Sequence, residues 1–336
     1  MLDTLITSLR ATIGILQKQD IQQAARSLGA RVPFLGSKEP DQVIHLGDDC
    51  AAIPDGDGYL LLAAEGIVPF LLDTEPWFAA WCSVLVNVSD IYAMGGRAIA
   101  VVDTIWSTSP QVTQPMWEGM LAASRAFNVP IVGGHTNCHS PYNALSVAIL
   151  GRANHLITSF NARPGDVLMV VIDFRGQSHE LYPFWDAATQ APPQRLQADL
   201  DLLPTLAEAG LCDAGKDISM GGIIGTALML IEASGCGAVL DLDQVPCPSQ
   251  VPLEKWLMSF PSYGFLLSVR PERVTQVQQH FQQRDIVCEP IGTVEPGSQL
   301  WLVWQDETAL FWDVDAEALT GFSIMPSSPT NGSGRG

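Results

Sequence analysis

Hydrophobic residues in the first thirty positions recur at helical spacing. Leu2, Leu5 and Leu9 fall three or four positions apart, which predicts one or two amphipathic helices over residues 1–30. After a loop with prolines and glycine at 31–42, the period becomes that of strands. The segments VIHLGDDCAAI and YLLLAAEGI flank PDGDG, whose two Asp-Gly steps predict a hairpin.

Helical and strand patterns then alternate up to about residue 155. Helices are predicted at 75–95 and 114–128, and the apolar strands are AIAVVDTIW, VPIVGGHT and ALSVAILGRA. The strand VPIV leads into a predicted glycine turn at Gly133 and Gly134. This alternation is typical of an α/β domain.

A second unit opens at NARPGDVLMVVID, where Pro-Gly-Asp makes a turn before an apolar strand. It continues with helical and loop segments over 178–215, a helix that begins at a glycine pair in KDISMGGIIGTALMLIEASG, and a final series of strands. The fold class predicted for the whole chain is therefore α/β (α+β). The expected divisions are a first domain at 1–155, a second domain at 156–322 and a disordered Ser/Pro/Gly-rich tail at 323–336.

Composition narrows the classes of function. The 336 residues carry 36 acidic and 17 basic side chains, a net charge of −19, which disfavours binding to nucleic acid or to anionic membranes. The sequence contains no apolar run long enough to span a bilayer. Its seven scattered cysteines form no CxxC pair, as expected for reduced thiols. These features predict a soluble, cytoplasmic protein with neither a nucleic acid nor a membrane as its partner.

Several acidic residues lie in apolar or glycine-rich surroundings, where solvation does not explain them. They are Asp48, Asp49, Glu65, Asp90 and Asp217. Burying a carboxylate costs several kcal/mol unless it is paired or bound to a cation. Because bases are scarce, a divalent cation is the better partner, and oxygen ligands suit Mg²⁺. Each acid alone is also explained as a turn residue, a helix cap or a surface charge.

Two glycine pairs, Gly133-Gly134 and Gly221-Gly222, are candidates for phosphate binding, because exposed backbone amides at turns and helix N-termini favour anions. Lys216 is a candidate phosphate ligand. The sequence contains neither a P-loop nor a GxGxxG fingerprint. The segment GGHTNCH allows a zinc site at His135, Cys138 and His139, although no second ligand pair supports it.

Four motifs, in consistent order over residues 43–300, resemble one superfamily. HLGDDCAAIP is similar to a strand-turn of thiamine-monophosphate kinases, and VNVSDIYAMGGRAIA and VPIVGGHT are similar to segments of selenophosphate synthetases. The stretch that begins KDISMGG resembles a helix and strand shared by several members. The chain thus resembles the aminoimidazole-ribonucleotide (AIR) synthase superfamily.

The resemblance implies a two-domain fold that forms a homodimer, in which the N-terminal sheets of two subunits build a central β-barrel and the C-terminal domain is an α/β sandwich. It also implies ATP and Mg²⁺ in a cleft between domains and subunits. The implied metal ligands are Asp48, Asp49, Asp90 and Asp217, and Asp90 and Asp217 are the implied catalytic residues. The implied cofactor-binding residues are Gly47, Asp48, Asp49, Glu65, Gly133, Gly134, His135, Thr136, Lys216, Gly221 and Gly222.

The activity that the resemblance implies is transfer of the ATP γ-phosphoryl group to an oxygen of a small-molecule substrate, or activation of that oxygen, in a kinase-like or cyclo-ligase-like reaction. Two departures favour an alternative, a nucleotide-binding scaffold that has lost catalysis. Glu65 stands where the family usually has Asp, and FRGQSHELYPFWDAA replaces the expected glycine loop. Substrate contacts are expected from residues 174–186.

Overall fold

The computed structural model describes residues 1–36 and 42–323 of the chain. All but the first residue of the predicted disordered tail lies outside these residues. Within the described ranges, no helix combines the length and the apolar character that crossing a membrane requires.

The first half of the chain builds a five-stranded sheet with the order β3-β4-β7-β5-β6. The predicted hairpin is confirmed, since Asp55 pairs with Gly58 across the turn. The expected glycine turn at Gly133 is wrong, because this segment continues in the extended edge strand β6. The elements of this half are α1 (Leu2–Arg10), α2 (Ile13–Gln19), α3 (Gln22–Leu28), β1 (Arg31–Pro33), β2 (Val43–His45), β3 (Ala51–Asp55), β4 (Gly58–Gly66), α4 (Pro69–Thr74), α5 (Pro76–Ala93), β5 (Arg97–Trp106), α6 (Pro110–Phe127), β6 (Ile131–Asn137) and β7 (Ala144–Ala153).

The second half builds a seven-stranded mixed sheet with the order β11-β14-β8-β15-β12-β16-β17. A small three-stranded sheet has the order β13-β10-β9. The elements of this half are β8 (Val167–Ile172), β9 (Gln177–Ser178), β10 (Phe184–Asp186), α7 (Pro193–Leu200), α8 (Leu202–Glu208), β11 (Ala214–Asp217), α9 (Gly222–Ser234), β12 (Gly237–Asp241), α10 (Leu253–Leu257), β13 (Phe260–Pro261), β14 (Gly264–Val269), α11 (Val274–Gln282), β15 (Val287–Glu295), β16 (Gln299–Trp304) and β17 (Glu307–Asp313).

Strand β8 separates the two hydrophobic cores. Leu168 and Val170 face the core that contains α1 and α9, whereas Met169 and Val171 face the core that contains α5, α7 and α11. A strand that is buried on both faces has no polar side to present, which explains the uninterrupted apolar run VLMVVI. The two-domain α/β class expected from the sequence matches this pair of sheets.

The N-terminal helices pack against the seven-stranded sheet, although the sequence placed residues 1–30 with the first domain. Leu2 and Leu5 are buried in the core beside α9. The amino group of Met1 lies 3.2 Å from Glu307 at the start of β17. Three helices form here instead of one or two: the extended Thr12 separates α1 from α2, and a turn at Asp20 and Ile21 separates α2 from α3.

Helix α5 is buried on nearly every face and packs between the two sheets. Its sequence is apolar all round, as expected for a core helix. It ends at Ala93, and Gly95 two residues later has a positive φ of 72° and a close approach to Ala207 that both require glycine. Asp90 stands on the last turn of this helix, so the packing of α5 fixes the position of that carboxylate.

One face of the five-stranded sheet carries α5 and α6, and its other face is open in the described part of the chain. Leu62 and Val102 are 48% and 41% exposed. Their cross-strand partners on β7 are Leu150 and Ala148, two residues apart, so both side chains project from the same face. The described residues form an open sheet with no closed barrel.

We expect Glu232→Gln to lower the free energy of unfolding by about 2 kcal/mol. The buried carboxylate accepts hydrogen bonds from the backbone N–H groups of Leu319, Thr320 and Gly321 and from the Thr320 hydroxyl, at 2.6–3.2 Å. An amide turns one acceptor oxygen into a donor that faces other donors. Urea denaturation measures the change, with the exposed Glu272→Gln as the control. Equal midpoints for the two variants would contradict the conclusion that the Glu232 carboxylate holds residues 319–321 in place.

Candidate functional site

Three carboxylates from distant parts of the chain meet at one point. Asp49 precedes β3, Asp90 lies on the last turn of α5, and Asp217 ends β11. One oxygen of each lies within 4.8 Å of the others. The packing of α5 against β11 brings the last two together. Among the described residues, this is the single group of three or more possible metal ligands.

These carboxylates are buried with little to neutralise them. Asp90 is 6% exposed and Asp217 is 8% exposed, and the Asp90 Oδ2 atom has no hydrogen-bond partner among the described residues. Burial and then the nearby Asp217 raise the pKa of Asp90 well above its usual value. Burial and then Asp49 raise the pKa of Asp217 to about 8. The site therefore favours a positive charge that the described side chains do not fully supply.

Lys216 is the basic side chain inside this region. Its amine contacts a carboxylate oxygen of Asp49 and lies 3.5 Å from the Ser159 hydroxyl. Burial alone would lower the pKa of Lys216, but Asp49, Asp48 and Asp217 outweigh this effect and raise it. The lysine thus remains charged and balances one of the three carboxylates.

Asp48 has a different environment from its neighbour. Its two oxygens accept hydrogen bonds from the Ser159 hydroxyl at 2.6 Å, the Ser159 N–H at 2.9 Å and the Asp49 N–H at 2.9 Å. Burial raises the pKa of Asp48 to about 6, against the opposing effect of Lys216. The structure therefore places Asp48 beside the group of three, where it fixes the loop that carries Asp49.

The three carboxylates fit a small divalent cation. Ligand oxygens around octahedral Mg²⁺ lie about 2.0–2.1 Å from the ion, so adjacent ones are about 2.9 Å apart and opposite ones about 4.2 Å apart. One oxygen of each carboxylate lies within 4.8 Å of the others, so all three converge on a space that one small ion could share. The buried, unpartnered oxygen of Asp90 also indicates a missing positive partner.

Glu65 and Lys18 stand at the edge of this group. Glu65 lies on the exposed part of β4, and partial desolvation raises its pKa, with Asp49 adding to the effect and Lys18 and Lys216 opposing it. Lys18 also acts electrostatically on Asp217. Sequence reasoning missed Lys18 and Ser159, because a single lysine in an amphipathic helix and a serine in a loop give no distinctive signal.

Helix α2 brings Lys18 to this position. A Cβ at Gly14 would lie 2.0 Å from the carbonyl oxygen of Met220, so glycine is what allows α2 to lie against the turn before α9. Gly14 and Lys18 are one helical turn apart and share a face. Helix α2 therefore covers part of the turn where Gly221 and Gly222 were expected to face phosphates.

The glycines of the site have packing reasons of their own. Gly47 has a φ of 102°, and a Cβ there would lie 2.3 Å from that of Phe322. Gly222 has a φ of 62°, and a Cβ there would lie 2.1 Å from the Leu257 carbonyl oxygen. Any larger residue would push the loop before Asp48 or the start of α9 out of place.

The segment Gly133–Thr136 lies apart from the carboxylates within one chain. Glu65, Val147, Asp103 and Gly134 form one row across adjacent strands. Three strand spacings place Gly134 about 14 Å from Glu65.

The possible zinc ligands have other neighbours. The His135 ring lies 5.3 Å from the Trp106 ring. The Cys138 sulfur lies 3.4 Å from the Thr113 hydroxyl. Within the described ranges, His135, Cys138 and His139 do not form a group of converging metal ligands.

Comparison with known proteins identifies the family. The AIR synthase related protein, N-terminal domain, matches residues 47–153, and the corresponding C-terminal domain matches residues 163–305. The chain belongs to the AIR synthase related family. An uncharacterised protein of Synechocystis sp. is 60% identical over 96% of this chain and 99% of its own length.

Solved structures show the same fold. T. maritima PurL complexed with ATP superposes with a TM-score of 0.71 at 19% identity, covering 93% of this AIR synthase related chain and 52% of that one. AaThiL complexed with AMPPCP and TMP superposes with a TM-score of 0.62 at 20% identity, covering 85% and 92% of the two chains. This chain thus spans about half the length of PurL and nearly all of AaThiL.

We expect the thermal midpoint of the metal-free protein to fall by about 5 °C between pH 5 and pH 8. The pKa values of Asp90 and Asp217 are raised in the folded state, so their contribution to stability is complete below the usual Asp pKa and is lost as pH rises through the folded values. Asp90→Asn removes one of these ionisations and should flatten the curve. Thermal melts in EDTA at constant ionic strength measure it.

The exposed turn residue Asp57 supplies the control, since Asp57→Asn should leave the wild-type curve unchanged. Parallel pH curves for wild type and Asp90→Asn would show that Asp90 is not a buried charge in the folded protein. Added Mg²⁺ should raise the wild-type midpoint at pH 8 and have much less effect on Asp90→Asn.

Proposed function

We propose that this chain is an ATP- and Mg²⁺-dependent enzyme that transfers the γ-phosphoryl group of ATP to an oxygen of a small molecule, or activates that oxygen. The observation that carries the proposal is the convergence of Asp49, Asp90 and Asp217, with one Asp90 oxygen buried and unpartnered in the described structure. Two structures of the same fold, T. maritima PurL with ATP and AaThiL with AMPPCP and TMP, support a nucleotide as the ligand.

In this proposal the three carboxylates hold Mg²⁺, and Asp48 fixes the loop that presents Asp49. Bound Mg·ATP would supply an electrophilic γ-phosphorus, and the metal would neutralise part of the negative charge on the phosphate oxygens. Lys216 pairs with Asp49 and adds a fixed positive charge at the site. Lys18 contributes a second positive charge from α2, next to Glu65 and Asp217. Catalysis of this kind depends on positioning and charge more than on proton transfer.

We also propose that residues 1–155 bind the nucleotide and form a homodimer. In this proposal residues 156–322 provide the contacts to the small-molecule substrate. The open apolar face around Leu62 and Val102 supports a partner sheet there. Since Gly133–Thr136 lies about 14 Å across the sheet from Glu65, its glycine amides belong in this proposal to the site of the partner subunit.

A nucleotide-binding scaffold without catalysis is the second candidate. Glu65 is one methylene longer than the Asp expected there, and α2 packs against the turn that precedes α9. Both features reduce the room for phosphates. Release of ADP that depends on a co-substrate separates an enzyme from a scaffold.

We expect isothermal titration to show ATP binding that requires Mg²⁺ and that weakens at least tenfold in Asp90→Asn. The variant removes one negative ligand from the buried group while keeping its shape, so the fold should persist. Asp57→Asn serves as the matched control. Binding of equal strength in wild type and Asp90→Asn would contradict the metal assignment, and the lack of any nucleotide binding by the wild type would contradict the proposed function itself.

We expect Val102→Glu to convert a dimer into a monomer, because it places a charge in the middle of the open apolar face. Light scattering coupled to size exclusion measures the mass. Leu121→Glu on α6 introduces the same charge at a residue that is 40% exposed and away from this sheet face, and should remain dimeric. A wild-type monomer at tens of micromolar, or a dimeric Val102→Glu, would contradict the proposed interface.

A further inference from the structure

A cavity outside the carboxylate site is lined by arginines. It has a volume of about 200 Å³ and lies between the end of β8 and the start of α7. Arg175 and Arg195 form its charged wall, and Gln177 and Gln190 add polar groups. A cavity of this size holds a small polar group or molecule.

The guanidinium of Arg195 has a buried N–H donor without a hydrogen-bond partner among the described residues. One of its terminal nitrogens donates to the Ala187 carbonyl oxygen at 2.6 Å. Its Nε atom is buried and has no hydrogen-bond partner in the described part of the chain, and the nearest oxygen of Asp199 is 4.0 Å away. A guanidinium carries five donors in a fork that matches an oxyanion. An unpaired donor of this kind beside a cavity indicates a ligand that accepts hydrogen bonds.

Arg175 is held in a fixed position next to it. Its guanidinium donates to Asp173 at 2.7 Å and to Asp199 at 2.7 Å. Arg284 also donates to Asp199, at 2.5 Å. Asp173 and Asp199 are almost fully buried, and Arg195, whose terminal nitrogen lies 3.5 Å from Asp173, is the third arginine around this pair.

One further acid, Asp186, lines the cavity. Its oxygens accept hydrogen bonds from the N–H groups of Ala188 and Thr189 and from the Thr189 hydroxyl. Those bonds orient the carboxylate toward the turn that follows β10. Asp186 balances the third arginine, so the preference of this cavity for an anion rests on the unpaired donor of Arg195.

The cavity and the carboxylate site lie beyond the same ends of the strands of the seven-stranded sheet. Strands β8 and β11 both run antiparallel to β14, so they are parallel to each other and their C-terminal ends point the same way. Asp217 is level with Val171 two strands away, and Asp173 follows two residues later. Strand spacing and rise put the backbones of Asp173 and Asp217 about 12 Å apart.

A second cavity continues from the first. It has a volume of about 330 Å³ and shares Gln177 and Asp186 with the arginine cavity. Phe78 and His179, whose rings stack at 4.6 Å, form its aromatic wall, and Glu75 and Glu180 add acidic groups at its rim. The two cavities together offer an anion site and an adjoining space for the body of a small molecule.

We propose that the Arg175–Arg195 cavity binds the oxyanion group of a small metabolite, a carboxylate or a phosphate monoester, and that this metabolite is the acceptor substrate of the proposed phosphotransfer. The identity of the acceptor rests on the proposed function. The anion site itself does not, because its hydrogen-bond donors are independent of ATP and Mg²⁺.

The test uses inorganic phosphate and succinate as probes and succinamide as the neutral analogue. Isothermal titration in EDTA, without nucleotide, should show millimolar binding of at least one anion and no binding of succinamide. Arg195→Gln should weaken that binding at least fivefold, and Arg195→Lys should weaken it less. Arg163→Gln, an exposed arginine in the same half of the chain, should bind as the wild type does.

Ala191→Leu provides a second variant that keeps every charge and fills the cavity, in case Arg195→Gln fails to fold. Loss of anion binding in either folded variant supports the proposal. Unchanged binding in Ala191→Leu, or no binding of either anion by the wild type, overturns it.

The same proteins are titrated with Mg·ATP to separate the two proposals. ATP binding without anion binding overturns the arginine site alone. Anion binding without ATP binding overturns the proposed function and leaves the arginine site standing as an anion site.

Discussion

The burial of three carboxylates at one point constrains the rest of the structure. Asp49, Asp90 and Asp217 repel one another when they are ionised, which helps to raise the pKa values of Asp90 and Asp217, and Lys216 balances only one of the three. Such an arrangement opposes folding unless the surrounding packing holds it in place. Helix α5, strand β11 and the loop at Gly47 supply that packing. The carboxylate group is a feature that the fold stabilises at a cost, as expected of a binding site.

Helix α5 links the two proposed sites. Asp90 lies on its last turn, and Phe78 on its first turn stacks with His179 beside the arginine cavity. Twelve residues separate them, about 18 Å along the helix axis. Because α5 is buried between both sheets, it holds the two halves of the chain in a fixed relation at these points. The N-terminal helices add to this arrangement, since they pack on the second sheet and bring Lys18 to the carboxylate group.

Much of the architecture follows from local patterns. The Asp-Gly hairpin, helix α5 and the buried strand β8 each have a spacing or composition that specifies one structure. The glycine turn at Gly133 was wrong because glycine permits a turn without requiring one, and pairing with β5 keeps the segment extended. The sequence also did not indicate which sheet the helices of residues 1–30 pack against. An amphipathic helix shows that it has a buried face without showing what covers that face.

The sequence by itself determined the family, the order of the elements and the unusual setting of the acidic residues, because motifs and periodicity are local properties of the chain. Tertiary structure alone decided which acids meet: Asp49, Asp90 and Asp217 converge, whereas Asp48 is held by Ser159. It also decided that Lys18 approaches the group and that Arg175 and Arg195 line one cavity. These relations join residues tens or hundreds of positions apart, and they depend on strand order and helix packing, which no local pattern records.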